Sequence, residues 1–142
     1  MEAGLILITG GMGLLVSGLL VRLGYLRFQL AAYWNSSSTL FRNLPLTQIP
    51  GGIALLLMGA LVILNMSGRV AQALLSFAFI GVAMSVAFGT WPPSVSKPAW
   101  VVERERAVGA RRASKAESLA SALIVSVFLL VALIVLLIAI AF

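Results

Sequence analysis

The side chains able to do chemistry in this protein are few, and most lie in one stretch. Glu103, Glu105 and Glu117 stand there among Arg104, Arg106, Arg111, Arg112 and Lys115. A general acid or base needs a titratable group held where the reaction occurs. Here each carboxylate has basic neighbours, a pattern of charge pairing. The chain has no His and no Cys, so imidazole proton shuttles, thiolate nucleophiles, disulfides, zinc sites and His-ligated haem have no residues to form them. The sequence therefore predicts no enzyme, no metal site and no cofactor.

What the basic cluster can do is electrostatic. Arg104, Arg106, Arg111, Arg112 and Lys115 are candidates for contact with anionic lipid headgroups, worth about 1 kcal/mol per residue close to a membrane surface. The same stretch reads as a solvated helix with a break at Gly109. Arg111-Arg112-Ala113-Ser114 resembles a basophilic kinase site, but Ser114 and Glu117 also have the spacing of a capping box, in which each satisfies a helix-terminal N–H of the other. Asn35-Ser36-Ser37 and Asn65-Met66-Ser67 match glycosylation acceptors; the first is expected on the cytoplasmic side and the second against the membrane, which argues against both.

The elements that position this cluster belong to a membrane. Hydrophobic residues make up 61% of the 142 residues and charged residues 10%, against roughly a quarter charged in soluble domains. Four stretches carry no charge: Ala3 to Val21, Leu44 to Gly68, Val70 to Ser96 and Ser118 to Phe142. The first is expected to be a span and not a signal peptide, because Glu2 replaces the positive n-region and the apolar run exceeds the roughly 7 to 15 residues of an h-region. The reading is an all-α integral membrane protein, a single domain over 1–142 with a four-transmembrane-helix bundle. The spans are expected near 3–21, 46–64, 70–91 and 118–142.

Within that frame, Pro50 is expected in the first turn of the second span, where a missing N–H is tolerated. Gly68 is expected to take the left-handed conformation that ends it. Pro92 and Pro93 forbid continuation of the third span. Tyr25, Tyr33, Trp34, Trp91 and Trp100 fall at span ends or in loops, where amphipathic rings prefer the interface. Residues 23–34 have helical spacing of Leu23, Leu26, Leu30 and Tyr33, and fit either an extension of the first span or a helix lying on the surface.

Charge sets the orientation. With four spans, the loops near 22–45 and 92–117 share a side, and they hold nine of the ten Lys and Arg residues; the opposite side holds only Arg69. The positive-inside rule then puts both basic loops in the cytoplasm and both termini outside. The net charge of +6 is explained by this flanking pattern, and no nucleic-acid partner is expected.

Small residues mark the candidate packing faces. Thr9, Gly13 and Ser17 recur every four residues, as do Gly81, Ser85 and Gly89, and Gly52 and Gly59 stand seven apart. Such spacing lets helices approach closely, and close packing drives association in lipid. These faces either assemble the bundle or dock another protein or a second copy. Small multidrug exporters also have four spans but depend on an acid embedded in the first helix, and here that helix has none beyond Glu2. The functional expectation is a small accessory, structural or assembly subunit of a larger membrane complex, in contact with membrane lipids and with other membrane subunits or itself. The alternative is an oligomeric channel or transporter for small solutes or ions, lined by Thr9, Ser17 and the Gly81 to Gly89 face. The compactness and simple charge bias point to a prokaryotic cell membrane.

Overall fold

The computed structural model describes residues 1–28, 42–93, 97–109 and 113–141. Among the described residues it is all-helical, with α1 (Glu2–Arg22), α2 (Leu44–Ile63), α3 (Gly68–Thr90), α4 (Ala99–Val108) and α5 (Lys115–Ala141). All but α4 are long and apolar enough to cross a membrane, consistent with a multi-pass integral membrane protein. Tyr33, Trp34, Asn35, Arg111 and Arg112 lie outside the described residues.

Local chemistry explains the helix ends. At the end of α1 the N–H of Gly24 bonds the carbonyl of Val21 and the N–H of Tyr25 that of Leu20, with Gly24 at φ +84°. This Schellman arrangement satisfies carbonyls that the helix leaves open, and its left-handed residue stops α1. Residues 23–28 therefore do not extend the first span. The same motif closes α2, where Met66 N–H bonds Leu61 and Asn65 N–H bonds Val62. Here Asn65, at φ 45°, is the left-handed residue. Gly68 also has positive φ, but it opens α3 instead of ending α2. The expected capping box forms at α5: Ser114 N–H bonds Glu117 Oε2 at 2.9 Å and Glu117 N–H bonds Ser114 Oγ at 3.2 Å.

One expectation about α2 is corrected. The helix begins at Leu44 with Pro45 in its first turn, so Pro50 lies inside the helix. Pro50 has no N–H to give the carbonyl of Leu46. Beside this weakened turn, the Thr47 carbonyl accepts a hydrogen bond from Ser85 Oγ of α3 at 3.0 Å, the kind of neighbouring-helix compensation that makes proline tolerable in a span.

The spans pack in order: extensive contacts join α1 to α2, α2 to α3 and α3 to α5. No comparable contact among the described residues closes α1 onto α5, so the expected bundle is an open row. Contacts also fix which ends meet. Gly18 lies against Ile49, Asn43 bonds Gly89, and Thr90 meets Ser121. The C-terminal ends of α1 and α3 thus share one end of the row with the N-terminal ends of α2 and α5.

The interior of this row is built from small side chains. Gly4, Gly11, Gly18, Gly52, Ala54, Gly59, Ala78, Gly81, Ala83, Ala132 and Ala139 are all buried, and the largest fully buried side chains among the described residues are Val21, Val101 and Ser76. Lipid is as apolar as leucine, so burying large aliphatic groups between spans gains little, whereas close backbone approach gains dispersion contacts.

Candidate functional site

The α1–α2 seam is a glycine repeat with a period of seven. Gly4, Gly11 and Gly18 of α1 face Gly59, Gly52 and Ile49 of α2, and a Cβ at Gly59 would stand 3.0 Å from the Gly4 carbonyl oxygen. Seven residues are nearly two helical turns, so these glycines stay on one face. Gly52 and Gly59 are thus packing residues of this seam. On α3, Gly81 lies against Ala54 and the Pro50 carbonyl, Ser85 bonds Thr47, and the Gly89 carbonyl accepts the Asn43 side chain at 2.8 Å.

The Thr9, Gly13 and Ser17 stripe of α1 does not form the α1–α2 seam. Thr9 is exposed, and a side chain at Gly13 would meet nothing within 4 Å. Two positions along a helix rotate by about 200°, so Gly11 and Gly13 point to opposite sides. Among the described residues, the Gly11 side is the one that packs on α2; Ser17 is half-buried between the two.

Polar side chains that spacing did not single out tie the spans together at one end. Besides the Asn43 and Ser85 bonds, Thr90 Oγ1 and Ser121 Oγ share a hydrogen bond at 2.6 Å between α3 and α5. Asn43, Thr47, Thr90 and Ser121 are all buried. Interhelical bonds of this kind average about 0.6 kcal/mol in membranes. Phe79 and Phe128 add a tilted aromatic contact with centroids 6.1 Å apart.

The charged cluster is organised by α4. Val101 is buried with Leu46 of α2 and packs beside Trp100. The Trp100 indole donates to the Val21 carbonyl at 3.1 Å, and the Arg27 guanidinium lies 5.4 Å from the centre of its ring. Trp100 is therefore a strut between α4 and α1, more than an interfacial anchor; Tyr25 and Trp91 are exposed. Lys97 Nζ pairs with both oxygens of Glu105 at 3.0 and 2.7 Å. Glu103, Arg104, Arg27 and Trp100 border a recess of about 260 Å³.

The helix break expected at Gly109 is present: α4 stops at Val108, Gly109 stands at φ +86°, and α5 begins at Lys115. The inner face of α4 is buried through Val101. Arg104, Arg106 and Lys115 remain exposed. No group of His, Cys, Asp or Glu suited to a metal ion occurs among the described residues.

A second concavity of about 410 Å³ runs between α2 and α3. Its lining is apolar except for Arg22, at the end of α1. No protein-family model, curated protein or solved structure matches this chain.

Proposed function

We propose that this protein is a non-enzymatic accessory, structural or assembly subunit of a larger membrane complex, held by its basic loops with both termini outside the cell membrane. The observation that carries the reading is the unused face of α1. That helix has small residues on two opposite sides; Gly4, Gly11 and Gly18 seat α2, while Thr9 and Gly13 face outward with open space at Gly13. Small residues every four positions are a helix-association pattern in lipid. The far end of the row supports the same reading. On α5 only Ser121, Ala132 and Ala139 are buried, and large aliphatic residues from Leu119 to Ile140 are exposed.

Among the described residues each outer helix packs extensively on one spanning neighbour, as expected of a piece that fits between others. The exposed Arg104, Arg106 and Lys115 suit contact with anionic headgroups on the cytoplasmic side. The test is the native mass and composition of the tagged protein extracted in mild detergent. Stoichiometric membrane partners are expected. A pure homo-oligomer would overturn the accessory reading and favour a channel or transporter, to be followed by flux measurements in liposomes.

A further inference from the structure

We infer that the cleft between α2 and α3 holds one acyl chain of an anionic phospholipid, with its headgroup phosphate at Arg22. The cleft has the right chemistry for a chain: every lining residue but one is apolar. It also has the right length and position. Its α2 wall runs from Ile49 to Leu57 and its α3 wall from Phe88 to Phe77, spans of about 12 and 16 Å at 1.5 Å per residue. Half of the roughly 30 Å hydrocarbon core is about 15 Å, so the cleft reaches from one interface to mid-membrane, the depth of one leaflet.

The cation is at the interfacial end. Arg22 closes α1, and that end of the row also holds Ile49 and Phe88, whereas Phe77 and Leu57 lie toward the middle. Arg22 makes no hydrogen bond or ion pair with another described residue, which leaves its guanidinium's donors for a phosphate. The cleft exists because its floor is Gly81, which sits against Ala54 and the Pro50 carbonyl. The walls open outward, as Phe77 is 58% and Met84 43% exposed, so a lipid can enter sideways from the bilayer. The ligand is distinct from the diffuse headgroup contacts of α4, because it needs both a chain slot and a single fixed charge.

The experiment is native mass spectrometry of the full-length protein, titrated with phosphatidylglycerol and with phosphatidylcholine of the same acyl chains. The wild type is expected to retain one phosphatidylglycerol with about five-fold preference, the size of one cation's attraction for an anionic lipid. R22Q should erase this one-site preference, R22K should keep most of it, and R69Q, at the opposite end of α3, should leave it unchanged. M84W, which fills the cleft from its open side, should reduce retention of both lipids. Equal retention of the two lipids by the wild type, or an undiminished preference in R22Q, overturns the inference. A photo-reactive residue at Met84 should crosslink to lipid in native membranes; crosslinks to a protein instead would assign the cleft to a partner helix and overturn it as well.

Discussion

Gly11 and Gly52 are reciprocal: a Cβ on either would stand 2.8 Å from the other's carbonyl oxygen. Both backbones are rigid there, so neither helix can yield locally, and the whole α1–α2 pair must part to admit a methyl group. G11A and G52A are each expected to destabilise the protein by about 1–3 kcal/mol, the usual cost of overpacking. G13A, on the open side of the same helix, should stay within about 0.5 kcal/mol of the wild type. Reversible unfolding in mixed micelles, followed by circular dichroism, measures all three. Equal losses at Gly11 and Gly13 would mean that α1 is turned the other way.

The hydroxyl pair of Thr90 and Ser121 joins α3 to α5 at 2.6 Å. Removing either hydroxyl leaves the other buried with one partner fewer. A cycle of T90V, S121A and the double variant is expected to give a coupling near 0.6 kcal/mol and below about 1.7 kcal/mol. Zero coupling in the same unfolding assay would remove this bond from the account of the α3–α5 contact.

Trp100 holds α4 to the end of α1 by one indole hydrogen bond, and its ring packs on the buried Leu46 and Val101. W100F keeps the ring and loses the donor, at a cost of about 0.5–1.5 kcal/mol for a net hydrogen bond; W100A loses both. Trypsin should cut at Arg104 and Arg106 faster in W100F than in the wild type, and faster again in W100A. Identical cleavage in all three would show that α4 is secured elsewhere.

The Ser114–Glu117 box opens the longest span. S114A should cost about 1 kcal/mol and speed amide hydrogen exchange over the first turn of α5, with no change in the middle of the helix. Exchange is the right readout, because fraying of one turn hardly alters global unfolding.

Orientation has a direct test, since the chain contains no cysteine. A single cysteine at Ser67 should react with an impermeant maleimide on intact cells, while one at Ala113 should react only after permeabilisation. The reverse pattern would invert the proposed topology.

The glycine seam was partly legible. Gly52 and Gly59 stand seven apart, and Gly4, Gly11 and Gly18 repeat that interval in α1, so matching the two periods identifies the pair. The four-residue pattern of Thr9, Gly13 and Ser17 was equally visible, and a single helix gives no reason to prefer one stripe. The buried polar set was harder to find. Asn43, Thr90 and Ser121 stand at span ends, where such residues ordinarily face water, and only the neighbouring helix supplies their partners.

The sequence by itself determined the elements: charge-free stretches of spanning length, the Pro92 and Pro93 stop after the third span, and the capping box at Ser114. Those are local consequences of backbone chemistry and of a solvent that excludes charge. The tertiary structure decided which face of each helix is used, that the row stays open, and that Trp100 ties α4 to α1. Each of these depends on the shape of a second surface. Between lipid-bathed helices hydrophobicity is the same on every side, so only close backbone approach and paired polar groups distinguish one face from another.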